Sequence, residues 1–405
     1  MSGTGPIVVI GGGHAGAQVC ASLATQGQGA RVHLVCEETE LPYQRPPLSK
    51  TYLKNPDEQL QELRAASWFS DQKITVHSAD AATAIDRARH VVRLRSGKEL
   101  PYERVIIATG TRARQLPHLK ENLANVAVLR TAADAQRLRA LFNAAGTLTV
   151  IGGGFIGLEI AATAKLLGKD VTVLESAPRL LMRSLSPEVA DHVLRTHRAA
   201  GIDVRLGVSV GHFEVAGDRV KAVTVDGVAV PVEALVLGIG AVPEHALASD
   251  AGLTCDNGIV VDEHMVTSDP AILAVGDCTN FPEPTSGRRM RLESIQNAAD
   301  QARAAAATIA GTPQPYHALP WFWSDQGSIR LQMAGLMPAD GTRHRRPGAS
   351  DANFSVLHYL GDKLVSVESV NSPVDHMASR KLLEAGRSPA PADACDPAKP
   401  LKSFI

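Results

Sequence analysis

At 405 residues the chain has room for two or three domains of about 100–200 residues each. A composition of 44% hydrophobic and 20% charged residues fits a packed globular protein and excludes a disordered or fibrous one. The 41 basic and 42 acidic residues leave a formal charge of −1, which argues against a nucleic-acid partner, and no apolar run approaches the roughly 18 residues of a membrane span.

In chain order, residues 6–10 form a short apolar run that reads as a buried parallel strand. The glycine loop Gly11-Gly-Gly-His-Ala-Gly16 follows, then an Ala-rich helix ending near Gly27, and a second strand over 31–36 that is followed by Glu37. Residues 104–110 read as a strand ending in a small-residue turn. The first pattern then returns: a strand over 148–151, the loop Gly152-Gly-Gly-Phe-Ile-Gly157, a helix closed by Gly168, a strand over 171–174, and Glu175. Residues 271–277 are another apolar strand with Asp277 at its end. Ser294 reads as the N-cap of a helix over 295–310, ended by Gly311 and Pro313. After Pro320 the pattern changes to strands over 329–334, 354–360 and 364–370 and a helix near 374–385, which suggests a separate C-terminal domain. The last twenty residues, rich in Pro and Ala, are expected to be a loosely attached tail.

The repeated strand–glycine loop–helix unit has a physical logic. The first glycine permits the tight turn, the second lets backbone approach a pyrophosphate, and the third lets helix and strand pack closely. The helix N-terminus offers free N–H groups and the positive end of its dipole to phosphate. The acid at the tip of the next strand can accept hydrogen bonds from a ribose diol. Two copies, each between strands and each followed by such an acid, imply that the chain binds two dinucleotides.

Several motifs occur in an order that resembles the NADH-dependent ferredoxin reductases of bacterial oxygenase systems, of the putidaredoxin reductase and biphenyl-dioxygenase reductase type. They are Gly11–Gly16, Tyr43-Gln-Arg-Pro-Pro-Leu-Ser-Lys50, Ala108-Thr109-Gly110, Gly152–Glu159, Val275-Gly-Asp277 and Pro320-Trp-Phe-Trp-Ser-Asp-Gln326. The resemblance covers residues 6 to about 385. It implies a glutathione-reductase-like α/β flavoprotein with two Rossmann-like dinucleotide-binding domains, for FAD and NAD, plus an α+β C-terminal domain. The boundaries expected are 1–113 with 243–318 for a discontinuous FAD domain, 114–242 for the NAD domain, and 319–405 for a C-terminal domain covering the flavin.

By that resemblance FAD occupies the first glycine loop (Gly11, Gly13, His14, Ala15 and Gly16), with Glu37 on the adenosine ribose. Further flavin contacts are implied for Arg45, Pro46, Lys50, Ala82, Thr109, Gly110, Arg130, Asp277 and Ile295, Asp277 taking the ribitol hydroxyls. The helix after Ser294 would aim its dipole at the pyrimidine end of the isoalloxazine. The pyridine nucleotide occupies Gly152, Gly154, Phe155, Ile156, Gly157, Glu159, Glu175 and Gly240. Glu175 carries an argument of its own: a carboxylate there accepts from a 2′-hydroxyl and repels a 2′-phosphate, favouring NADH over NADPH. Arg179, four residues on, is the opposing candidate as a phosphate ligand.

The five cysteines, at 20, 36, 255, 278 and 395, form neither a CxxC pair nor a paired framework. They suit a reducing compartment, and with no secretion-signal pattern at the N-terminus a cytoplasmic location is expected. A sulfur relay from the flavin is therefore not expected, nor is a metal or iron–sulfur site. Electrons would leave singly to an external carrier, a 2Fe-2S ferredoxin, supplying a haem or Rieske oxygenase. Lys50 and Glu159, the latter expected in the first turn of the second dinucleotide helix, match an ion pair that the wider group holds beneath the flavin, and Trp323 is the aromatic expected at the flavin edge. Strand alternation puts Trp321 and Trp323 on one face, where plain core packing is the other reading. Arg64, Arg288, Arg289, Arg303, Arg343, Arg345 and Arg346 are candidates for docking an acidic ferredoxin, each also readable as solvated surface. A rubredoxin reductase, or an NADH-sensing flavoprotein of the apoptosis-inducing-factor type, are the alternatives on this fold.

Overall fold

The computed structural model describes residues 4–120, 122–284 and 287–405, and the chain divides into two units. The first comprises 1–44, 60–112 and 242–318; the second comprises 45–59, 113–241 and 319–405. Residues 45–59 thus group with the second unit, as do the residues after 319, where the sequence reading counts a third domain.

The first unit is built on a five-stranded parallel sheet in the order Ile272–Ala274, Arg104–Ile107, Ile7–Ile10, Val32–Val35, Thr75–His77. Ile7–Ile10 is buried along its whole length, which is why it reads as a continuous apolar run rather than an alternating one. The helices His14–Thr25 and Ile295–Ile309 pack together. Ala15, Ala17, Ala298, Ala302, Ala305 and Ala306 are all buried, and such small side chains let helices approach closely. Ser294 caps the second of these helices as expected, its Oγ accepting from Asn297 N–H at 3.1 Å.

The second unit holds another parallel sheet, in the order Asp203–Leu206, Asp170–Glu175, Thr147–Ile151, Ala234–Leu237, Val126–Ala127. It also holds an antiparallel sheet in the order Trp321–Gln326, Ile329–Gly335, Lys363–Val370, Phe354–Leu360, Thr342–Pro347. Residues 386–405 are not a loose tail. Pro391–Ala394 is helical, Ala394 and Leu401 are buried in an apolar cluster with Leu357, Tyr359 and Leu382, and the Tyr359 hydroxyl donates to Pro389 O at 2.8 Å. The Arg346 guanidinium donates to the carbonyls of Ala394 and Asp396, both at 2.8 Å, and pairs with Asp375 at 3.1 Å. Arg346 is therefore an internal tie rather than a docking residue. Among the described residues no helix is long and apolar enough to cross a membrane.

Candidate dinucleotide sites and a lysine–glutamate pair

In the first unit, strand Ile7–Ile10 runs into Gly11 at φ +122°, where a Cβ would lie 2.3 Å from Ala108 O. A Cβ on Gly16 would lie 1.9 Å from Gly11 O, so the third glycine permits helix His14–Thr25 to sit on the turn. Gly13 faces open space, and this helix begins with no side-chain cap and no acidic residue in its first turn. No side-chain cap and no carboxylate of the first turn therefore competes with an anion at this helix start. His14 opens the helix, and a Cβ on Gly276, which precedes Asp277 in the turn Gly276–Cys278, would come 3.0 Å from the Cβ of Ala15. The Thr109 hydroxyl is committed to Glu244 O at 2.5 Å, while Gly110 sits at φ +70°. Ala82 begins the strand Ala82–Asp86 and Ile295 begins the helix Ile295–Ile309. Glu37 is exposed and pairs with Arg95 at 2.9 Å.

The second unit repeats this cradle. Gly152 has φ +107°, with a Cβ position 2.4 Å from Gly238 O, and a Cβ on Gly157 would lie 2.4 Å from Gly152 O. Gly154 has only Gly238 O within 4 Å, at 3.7 Å, and helix Phe155–Leu166 again starts uncapped. Here the strand-end acid turns onto the loop. Glu175 Oε2 accepts from Gly153 N–H at 2.6 Å and Oε1 from Ala177 N–H at 2.7 Å. Arg179 donates to the carbonyls of Leu185 at 2.6 Å and Met182 at 3.0 Å, so its guanidinium is spent on its own loop. Gly240 has φ +96° and open space over its Cβ position. Ile156, in the first helical turn, is 45% exposed, unusual for an isoleucine beside such a loop.

The same helix carries Glu159, which lies in the second turn and not the first. It is buried, and packing inside the unit, not the helix dipole, sets its surroundings. Its Oε2 accepts from Lys50 Nζ at 2.6 Å and from Ser49 Oγ at 2.5 Å; its Oε1 accepts from Ser324 Oγ at 2.7 Å. The turn that presents Lys50 is itself held by Thr163, whose hydroxyl donates to Ser49 O at 2.8 Å. Arg45, at the start of the same segment, donates to the carbonyl of Arg130 at 2.7 Å, and Pro46 begins the short helix Pro46–Ser49. The two serines on Glu159 were not foreseen. Both stand inside the motifs quoted for the resemblance, beside Lys50 and Trp323, but a serine carries no periodic signal of its own.

Strand Trp321–Gln326 splits its side chains by alternation. Trp321 and Trp323 share one face with rings stacked at 5.7 Å, and the Arg380 guanidinium lies 4.3 Å over Trp321. Phe322 and Ser324 take the other, meeting Phe155 (ring centroids 4.7 Å apart) and Glu159, four residues apart on the helix. All five cysteines are free. Cys20, Cys36 and Cys278 are buried; burial raises all three thiols, Cys36 to about 12, leaving inert thiols rather than reactive thiolates.

Two glycine cradles at helix starts beside parallel strands are the geometry of a protein built for two dinucleotides. The chain belongs to the pyridine nucleotide-disulphide oxidoreductase family, whose model matches residues 5–302, and residues 321–405 match the reductase C-terminal family. It is 43% identical over 401 residues to rhodocoxin reductase of Rhodococcus erythropolis, covering 98% of this chain and 94% of that one. It is 40% identical over 413 residues to putidaredoxin reductase CamA of Pseudomonas putida, covering 100% and 98%. The solved covalent complex of putidaredoxin reductase with putidaredoxin superposes with a TM-score of 0.94 at 40% identity, covering 99% and 98%. The family implies FAD and a pyridine nucleotide, and two uncapped helix starts with backbone open at Gly13 and Gly154 fit two pyrophosphates.

Proposed function

We propose that this protein is an FAD-dependent NADH:ferredoxin oxidoreductase of an oxygenase system. The carrying observation is the Lys50–Glu159 pair, its carboxylate buried and its lysine half-buried, in a chain whose cysteines are all free. One carboxylate anchors one ammonium, and no thiol pair stands ready to take electrons onward. FAD is assigned to Gly11, Gly13, His14, Ala15, Gly16, Glu37, Arg45, Pro46, Lys50, Ala82, Thr109, Gly110, Arg130, Asp277, Ile295 and Trp323. The nucleotide is assigned to Gly152, Gly154, Phe155, Ile156, Gly157, Glu159, Glu175 and Gly240. The domain reading is 1–113 with 243–318 for FAD, 114–242 for NAD, and 319–405 for the C-terminal domain. Free cysteines accord with a cytoplasmic location.

NADH is the preferred donor. Glu175 already lies on the glycine loop, where it would repel a 2′-phosphate, and Arg179 is engaged by carbonyls. When bound, the flavin supplies the change of currency that nicotinamide lacks, taking up a hydride and giving electrons out singly. One NADH and two oxidised 2Fe-2S ferredoxins then give NAD+, two reduced ferredoxins and one proton. Lys50 sets positive charge where electron density accumulates, Glu159 holds it there, and the step needs positioning more than proton transfer.

The test is anaerobic stopped-flow mixing of the purified holoprotein with NADH, then with 2Fe-2S ferredoxins encoded near its gene. Full bleaching by one equivalent of NADH, followed by reduction of two ferredoxins and a rate that falls steeply with salt, is expected. A reduced protein that keeps its electrons for minutes beside every ferredoxin tried would refute the reductase reading.

A further inference from the structure

Glu159 sits at the end of a buried hydrogen-bond chain that runs back through the antiparallel sheet. Ser324, 165 positions away, donates to its Oε1 at 2.7 Å. Gln326 Nε2 meets Ser324 Oγ at 3.1 Å, and Gln326 Oε1 meets His197 Nε2 at 2.9 Å. Ser324 is 0%, Gln326 2% and His197 3% exposed, so water does not substitute for any link. Ser324 and Gln326 share a strand face by alternation, and His197 comes from the helix Pro187–Ala199.

The direction of this chain follows from donor arithmetic. An ionised carboxylate only accepts, so the single hydroxyl proton of Ser324 points to Glu159. Ser324 must then receive from the amide N–H of Gln326, which leaves the Gln326 carbonyl facing His197. That carbonyl only accepts, so His197 carries its proton on Nε2. Burial lowers the His197 pKa below its ordinary value, which keeps the ring neutral and suits it to this place. Each donor is thus fixed by the one behind it.

We infer that Ser324, held in one hydroxyl orientation by Gln326 and His197, is a positioning residue for hydride transfer; this rests on the reductase reading above. The terminal torsion of a glutamate is broad, and nothing in the residue itself decides which oxygen faces Lys50. Ser324 claims Oε1, so Oε2 is left for Lys50 and Ser49, and the ammonium is held at one point. Without the hydroxyl, a buried carboxylate oxygen loses its donor and the carboxylate can turn, releasing Lys50.

Two measurements test this. In anaerobic single-turnover reduction by NADH, Ser324→Ala should lower the limiting rate by about 10- to 100-fold, the scale of a misplaced reacting group, with little change in NADH affinity. Ser324→Thr, which keeps the hydroxyl, should restore most of the rate. A parent protein that NADH does not reduce, or that once reduced by dithionite passes no electrons to any ferredoxin tried, would count against the reductase reading instead. An unchanged limiting rate in Ser324→Ala, or no rescue by Thr, overturns the inference. The second measurement needs no variant: 15N NMR of histidine-labelled parent protein should place the His197 proton on Nε2 with Nδ1 bare. A neutral ring with its proton on Nδ1 and Nε2 bare breaks the chain and the inference with it.

Discussion

Gly13 and Gly16 lie three residues apart in one loop, yet the structure separates their roles sharply enough to test. A Cβ on Gly16 would lie 1.9 Å from Gly11 O, against an ordinary contact of at least 3.4 Å, so helix His14–Thr25 must retreat by ~1.5 Å. The obstacle is backbone carbonyl and cannot rotate away. Alanine in a helix gains at most about 1 kcal/mol over glycine, whereas overpacking a tight contact costs about 1–3 kcal/mol; the second effect should win. Gly13 has φ −89° and nothing within 4 Å of its Cβ position, so the protein itself accepts alanine there. Its stability should change by less than about 1 kcal/mol. If a pyrophosphate lies over that open backbone, the new methyl occupies its place. Losing one charge-assisted N–H···phosphate bond, about 1.5–3 kcal/mol, weakens binding by about 10- to 150-fold at 1.4 kcal/mol per decade. Thermal unfolding of both apoproteins and FAD titration followed by flavin fluorescence quenching measure the two effects. Gly13→Ala binding FAD as tightly as the parent, or Gly16→Ala melting with it, would refute the reasoning.

Two further outcomes follow from particular groups. Glu175→Ala should cut kcat/KM for NADH by about 10-fold, one lost hydrogen bond to a charged group, without creating useful NADPH activity, because Arg179 stays tied to Leu185 and Met182; efficient NADPH turnover in the variant would contradict this. His376 is buried with both ring nitrogens unpartnered, and burial, then Arg380 and Arg330, lowers its pKa to about 4. Between pH 6.5 and 4 the unfolded chain binds the proton that the folded one refuses, so stability falls as pH falls through that window, by about 1.4 kcal/mol per unit. His376→Gln should flatten the slope of melting temperature against pH over that range, and an unaltered slope would count against the assignment.

Both glycine cradles were readable along the chain because their causes are local. A turn at positive φ, a helix start and a strand-end acid each depend on neighbours within one βαβ unit, and Gly11, Gly16, Gly152, Gly157 and Glu175 stand where that logic puts them. Lys50 and Glu159 entered through resemblance, and Glu159, expected in the first turn, lies in the second because the helix already begins at Phe155. What the folded chain alone decided is everything that depends on partners distant in sequence. Ser49 and Ser324 reach one carboxylate from 110 and 165 positions away. Arg346, charged and so expected at the surface, is buried because the carbonyls of residues 394 and 396 return to meet it. That return also turned an expected tail into packed structure. A short polar side chain or a Pro-rich segment has no periodicity to betray its environment, and only the closing of long loops brings its hydrogen-bond partner within 3 Å.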